Sequence, residues 1–466
     1  MSNQLEQKNT DLTNVTRREF VSSAAALGTG LVVASKPMKS LAESAKKEDL
    51  NVAVIGFGSQ GKVLMDAMLQ IPSGVRFKAI CDVWPYKQKY AQRYLQKFKH
   101  DVNVYTDYQD MLDSEKDLDC VIVASPDFVH ADHTNAALRA GCHVYCEKLM
   151  SNTVEGARSM VLTQRETGKL LQIGHQRRSN PRYIHAKEKL IDEANLCGRI
   201  TTINGQWNRA VKEDDTWPKK YEIDQSTLDK YGYANMFEFR NWRWFKQYGG
   251  GPISDLGAHQ IDIYNWFLDA NPQSIIAGGG VDFYDKHEWY DNVMAIYEYE
   301  GKLGKTRAFY QVQTTTSAGG GYYEYFMGTG GAIKISENPK YTQVFQEAGA
   351  DWAEWIDKGY IKQGASGGGG GYNPLAPKPW DKPKGGSGKV DVRETAALVS
   401  WDIPVDLGNK KIHQFHLENF FDSVRGETAL NCPADKAFAS SVMILAANEA
   451  VGAQKMLKFE PSEFIA

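Results

Sequence analysis

The sequence has little that would hold a metal or a disulfide framework. Its 466 residues include six cysteines, Cys81, Cys120, Cys142, Cys146, Cys197 and Cys432, and none stands in Cys-x-x-Cys spacing. A chain of this length builds apolar cores without covalent staples. Cys142 and Cys146, around His143, read as a buried strand that uses cysteine as a small hydrophobe, so no metal site is expected. An excess of charge is missing too. Lys and Arg number 54 against 57 Asp and Glu, a net charge of −3, and no nucleic-acid partner is expected without a basic domain. Past the N-terminus no run of about 18 apolar residues occurs, which argues against a stable membrane anchor.

What is present is 42% hydrophobic residues, enough for two or three domains. The 11 Trp and 23 Tyr suit a sugar-handling surface. The N-terminus reads Thr16-Arg17-Arg18-Glu19-Phe20, then a weakly apolar stretch from Val21 to Ala34 rich in Ala, Gly and Ser. A twin arginine before such a stretch resembles a Tat export signal, too short to span a bilayer stably. The alternative is a basic segment before an ordinary helix. The export reading sets residues 1–48 aside from the fold and expects a periplasmic or otherwise exported protein. Tat carries folded proteins, so a nucleotide would be bound before export and kept.

The apolar run Asn51–Ile55 reads as a buried parallel strand. The glycine loop Gly56-Phe57-Gly58-Ser59-Gln60-Gly61 follows, then a helix over 62–70. Strand, GxGxxG and helix in that order form a dinucleotide-binding fingerprint. Gly56 permits the tight turn, Gly58 the approach of the pyrophosphate, and Gly61 close helix–strand packing. A second strand, 76–81, ends at Asp82, spaced to bond a ribose 2′-hydroxyl; its carboxylate favours NAD over NADP. The other reading of Asp82 is the start of the turn before Pro85. Strands at 119–124, 143–146 and 170–173 and helices at 108–112 and 130–140 continue the alternation of a doubly wound α/β sheet. Ligands lie beyond the carboxyl ends of such strands, which singles out Ser125, Pro126, His130, Glu147 and Lys148. His130 can instead be an ordinary residue at a helix start.

The ordered pieces Gly56–Gly61, Ala124–His130, Ala140–Lys148 and Gly251–His259 resemble the Gfo/Idh/MocA oxidoreductases, which act mostly on sugars and cyclitols. The resemblance spans residues 51 to about 300. It implies a Rossmann domain (49–170) and a second α/β domain (171–466) built on an open, mainly antiparallel sheet. It also implies a catalytic set of Lys148, Asp255 and His259. Leu149 stands where the family has Pro, and a Lys–Leu bond strongly resists the cis form. Asp127 stands where the family has Asn.

Asp255 and His259 are four apart on one predicted helix that opens at Pro252. Oxidising a secondary alcohol needs a base. A neutral imidazole at His259 fits, with Lys148 stabilising alkoxide charge and Asp255 orienting the ring, favouring its charged form, or binding substrate. Without the resemblance, the pair reads as ordinary helix-face polar residues. The resemblance turns His175 and Arg177 toward the substrate; a surface loop is the alternative. Arg243, in the aromatic stretch 207–248, can donate to sugar hydroxyls, or that stretch can serve core packing or a homo-oligomer interface. Residues 364–389, Gly- and Pro-rich, read as a flexible loop. The helical patterns at 413–424 and 434–451 are expected to return to the core of the second domain.

Three functions fit: an NAD-dependent dehydrogenase of a sugar, glycoside or cyclitol hydroxyl; a glycosidase that uses NAD transiently, through ring oxidation and elimination; or a non-catalytic nucleotide-bound sensor.

Overall fold

Leu50–Ile55 (β1) carries four consecutive buried residues, Val52 to Ile55, as a strand covered on both faces should. The computed structural model describes residues 49–72, 74–301, 304–364 and 398–466. The expected export segment and the Gly/Pro-rich stretch from 365 onward lie outside them. Beside β1 run Val75–Cys81 (β2), Asn103–Tyr105 (β3), Cys120–Val123 (β4), His143–Cys146 (β5) and Leu171–Ile173 (β6). All pair in parallel, in the order β3-β2-β1-β4-β5-β6, the doubly wound Rossmann order. Helices Ser59–Met68 (α1), Pro85–Gln96 (α2), Tyr108–Ser114 (α3), His130–Arg139 (α4) and Val154–Thr167 (α5) connect the strands.

Register decides which residues meet at the carboxyl edge. Ile55 pairs with Cys81 and with Val123, Val123 with Cys146, and Cys146 with Ile173. The next residues in each case, Gly56, Asp82, Ala124, Glu147 and Gly174, therefore share one edge. The helix after β1 starts at Ser59, three residues before the expected start, so Ser59 and Gln60 belong to its first turn.

The second domain holds a sheet of ten strands among the described residues. They are Ile200–Asn208 (β7), Pro272–Gly280 (β8), Asn292–Gly301 (β9), Gly304–Gln313 (β10), Tyr323–Gly328 (β11), Gly331–Ile335 (β12), Gln343–Gln346 (β13), Lys362–Gln363 (β14), Val399–Asp402 (β15) and Leu457–Lys458 (β16). Only the β7–β10 pairing is parallel, so the sheet is open and mainly antiparallel. Ala258–Leu268 (α6) packs on its inner face. On the outer face Ile276, Met294 and Ile296 stay exposed.

The two C-terminal helices divide between the domains. Ala434–Ala453 (α8) packs on β8 and α6, and also on α5 of the Rossmann domain. The helix before it, Ile412–Val424 (α7), corrects the expectation that both enter the second core. Its Leu417, Phe420 and Phe421 join Val54, Phe57 and Leu64 in a Rossmann cluster. His416 adds a polar tie, donating from Nε2 to Ile173 O at 2.9 Å. Among the described residues no helix is long and apolar enough to cross a membrane.

Candidate active site

The glycine loop is built for a close neighbour on one side only. Gly56 has φ +92°, and a Cβ there would lie 2.7 Å from the Ala124 backbone. At Gly61 a Cβ would come within 2.1 Å of Gly56 O. Gly58 is the opposite case, with nothing within 4 Å of a Cβ. Helix α1 has no side-chain cap and no acidic residue in its first turn. Its free N–H groups and dipole fit a pyrophosphate. Asp82 ties this loop to β2: its Oδ2 accepts from Phe57 N at 2.7 Å and its Oδ1 from Trp84 N at 2.8 Å. Burial raises its carboxyl above the usual range, against the pull of those two donors.

A single cavity of about 850 Å³ runs along this edge into the second domain. It is within the usual range for small-molecule sites, roughly 300–1,000 Å³. Gly56, Gly58, Ser59, Gln60, Asp82, Ser125, Pro126, His130, Glu147 and Lys148 all line it. Two expected contacts do not. The Phe57 ring is fully buried in the Rossmann core and its amide is taken by Asp82, while Gly61 serves packing. Gln60 Nε2 donates to Glu147 Oε1 at 2.9 Å, which joins the glycine loop to the end of β5.

His130 reaches the cavity as a brace. Its two ring nitrogens face Leu149 O and Ser125 O, each at 2.7 Å, and have nothing left to offer a ligand. Burial opposes charge on this ring, but Cys146, the Asp127 carboxylate and the Leu149 carbonyl push it up to about 10, so both nitrogens donate. Asp127, noted in the sequence only as a departure, also lines the cavity; burial raises it to about 6. The Lys148–Leu149 bond is cis, against the expectation for a non-proline pair, and in this form Leu149 O meets His130.

Lys148 projects from the end of β5 toward the second domain. Its Nζ donates to Asp255 O at 2.5 Å and lies 3.9 Å from Asp255 Oδ1. Asp255 sits in a π-type turn, Ile253–Gly257, that leads into α6; such turns recur at functional sites. Arg243 Nε donates to its Oδ1 at 3.0 Å, and Arg209 Nη1 lies 3.5 Å from its Oδ2. Burial works against ionisation, yet Arg243, Lys148 and Arg209 hold this carboxyl well below the usual carboxylate range.

His259, on the first turn of α6, is 8% exposed and lines the same cavity. Its Nδ1 is buried without a protein partner among the described residues. Burial, then Lys148, Arg177, His175 and His413, push this imidazole well below its ordinary value. That corrects one expectation. Asp255 neither orients the ring nor favours its charged form, because two guanidinium groups and Lys148 occupy its carboxylate. His259 is thus a neutral imidazole beside an ionised Asp255.

Arg243 lies in the cavity wall as expected, but His175 and Arg177 do not. Each is only 1% exposed. Arg177 bonds Glu324 and Glu337 and lies among the Tyr183, Trp207 and Tyr322 rings, about 5.7–5.8 Å from each centroid. His175 points its Nδ1 to within 3.7 Å of Asp262, and burial pushes it down to about 4. Both residues stand behind the wall. Gln176, between them, is the one that reaches the cavity, with Trp207, Arg209, Glu337 and His413. Trp207 was legible as part of the aromatic stretch; Glu337 and His413 carry no local signal.

Residues 50–175 match a family model described as "Oxidoreductase family, NAD-binding Rossmann fold", and residues 185–334 match one described as "GFO/IDH/MocA C-terminal domain". Together they cover more than half of the chain. Inositol 2-dehydrogenase of Salmonella typhimurium is 30% identical over 227 residues, 48% of this chain and 56% of that protein. D-glucoside 3-dehydrogenase of Escherichia coli is 31% identical over 219 residues, 47% of this chain and 54% of that one. The chain thus spans just over half the length of the curated relatives it matches. The crystal structure of the WlbA dehydrogenase from Bordetella pertussis, in complex with NADH and UDP-GlcNAcA, superposes with a TM-score of 0.61. It is 16% identical, and the match covers 89% of this chain and 99% of that one. That likeness speaks to the fold.

Proposed function

This chain belongs to the Gfo/Idh/MocA oxidoreductase family and carries its NAD-binding Rossmann fold, and on that premise we propose that it transfers a hydride between a secondary hydroxyl of a sugar, glycoside or cyclitol and bound nicotinamide. The observation that carries the reading is one cavity holding the glycine loop, Lys148, Asp255 and a neutral His259. The loop's open side at Gly58 and the uncapped α1 fit a dinucleotide. NAD supplies the two-electron acceptor when bound. His259 takes the hydroxyl proton, and the Lys148 ammonium donates to the same oxygen and stabilises its growing charge. Asp255, kept ionised by Arg243 and Arg209, accepts from a neighbouring hydroxyl. Trp207, stacked on Tyr322 at 4.5 Å, lines the same cavity and supplies apolar surface for the CH side of a ring. The inositol and glucoside dehydrogenases among the relatives support this substrate class.

The test is to add NAD and a panel of glucosides and inositols and to follow the nicotinamide absorbance band. At least one should raise it. Bound NAD with no turnover anywhere on the panel would sink the enzyme reading in favour of a sensor. Glycoside loss without a net band change would mark the glycosidase.

Asp82 sets the preference for NAD over NADP. Asp82→Ala should weaken NAD binding by about tenfold or more and narrow the gap to NADP, since it removes a ribose acceptor and frees the Phe57 amide. Unchanged discrimination in a binding titration would refute that role. Residues 1–48 direct export. An Arg17→Lys/Arg18→Lys double variant should stay in the cytoplasm, read by cell fractionation, and normal export would reject the signal. The outer sheet face exposes Ile276, Met294 and Ile296, and we assign it to contact with a second copy. Light scattering should then read a mass above 52.1 kDa, and a monomer would dismiss the contact.

A further inference from the structure

One helix of the Rossmann domain is charged out of proportion to the chain. From Pro85 to His100 the sequence holds five Lys and Arg and no Asp or Glu, in a protein whose net charge is −3. Helix α2 occupies most of this stretch and buries only Ala91 and Leu95. Its outer side carries two rows at the four-residue spacing that aligns side chains along a helix. One row is Tyr86, Tyr90 and Tyr94; the other is Lys89, Arg93 and Lys97.

Both rows line a groove of about 810 Å³ that shares only Val83 and Thr106 with the active-site cavity. Residues 220–224 of the second domain make its far wall. The two walls are fixed to each other. The Trp84 indole N–H donates to Tyr221 O at 2.6 Å, and the Tyr221 ring packs on Tyr86 with 4.5 Å between centroids. Ile223 is buried behind them in a cluster with Trp84 and Leu228. The groove therefore stands ready without a ligand.

Its cations have no counter-charge. Among the described residues, the side chains of Lys89, Arg93 and Lys97 have no ion pair or hydrogen bond. Lys220 adds a fourth cation from the far wall. Of the two acids in the lining, Asp224 is occupied by Ser226 and Thr227 at the start of the short helix Gln225–Lys230. That leaves Glu222 against four cations. Beside them Tyr90, 42% exposed, lies parallel to Tyr94 at 6.2 Å.

A ligand that satisfies both rows carries spaced negative charges on rings with an apolar side. A chain of hexuronate units does so: each ring has a CH side for a tyrosine and a carboxylate for a Lys or Arg. From Tyr86 to Lys97 the helix runs about 16 Å, room for several units. No Asn or Gln, the side chains that read base edges, lines the groove among the described residues. A concave wall of tyrosines also lacks the projecting apolar face that enters a bilayer. We propose that this groove binds an acidic polysaccharide of hexuronate units and holds the protein against it. The site is separate from the redox chemistry and stands whatever the substrate panel shows.

The test titrates the full chain, without nucleotide, with oligogalacturonate by calorimetry. Wild-type protein should bind it, with affinity that falls as salt rises, and should bind a neutral maltooligosaccharide of the same length at least about tenfold more weakly. The Lys89→Gln/Arg93→Gln/Lys97→Gln variant should lose about tenfold or more, the sum of three exposed charge pairs. Tyr90→Ser should weaken binding independently through the lost ring. All four side chains are exposed, so both variants should keep the wild-type melting temperature. No binding by the wild type, or variants that bind as well as it does, would overturn the site. Tighter binding of oligothymidylate or of phosphatidylglycerol vesicles, lost in the triple variant, would overturn the polysaccharide and give the groove to a polyphosphate strand or a membrane.

Discussion

Lys148→Met should lower kcat on the best panel substrate by two to four orders of magnitude, with nucleotide content unchanged. The ammonium uses one donor on Asp255 O at 2.5 Å and keeps two for the cavity. Its side chain is 12% exposed, so its charge acts in a largely dry space where an alkoxide partner is worth far more than in water. Methionine keeps the length and the apolar stem and removes only the charge and the donors. The glycine loop and Asp82, assigned above to the other end of the cofactor, do not touch Lys148. If Lys148 merely pins the π-type turn, the melting temperature will fall and kcat will fall less than tenfold. That outcome would remove it from the chemistry.

The cofactor end of the site was legible because strand order and strand ends are local. Each buried run stops at a residue that marks the edge, Gly56, Asp82 or Glu147, and parallel register brings them together. The substrate end was only half legible. His175 and Arg177 stand where the chain leaves the Rossmann sheet, and nothing beside them shows that they turn inward. Their partners, Asp262, Glu324 and Glu337, lie far along the chain, and a buried polar group follows its partner. The same distance hid Arg209, which shares Asp255 with Arg243 and so denies it to His259. Helix α7 was misplaced for a related reason. Its apolar residues are plain in the sequence, but whether they meet the sheet or α1 depends on the path of the chain before them.

The most informative substitution is His259→Asn, because its effect and its pH dependence must agree. At neutral pH it should cost about two or more orders of magnitude in kcat/KM through loss of the base. Asparagine keeps polarity and approximate size, so the helix face on which His259 sits should survive. In the wild type the base works when neutral, which means above its pKa. Burial, then the nearby Lys148 and Arg177 cations, place that pKa well below the ordinary value of 6.5. Activity should therefore hold as pH falls through 6.5 and fail only at more acid values, where the ring finally takes a proton. Lys148 supplies part of that depression. In the residual activity of Lys148→Met the acid limb of kcat/KM should move to higher pH, toward the ordinary range, while burial and Arg177 still act. A wild-type limb at an ordinary histidine pKa, or a limb that Lys148→Met leaves in place, would mean that some other group takes the proton. In that case Asp127, a cavity-lining carboxyl that burial raises to about 6, is the next base to remove.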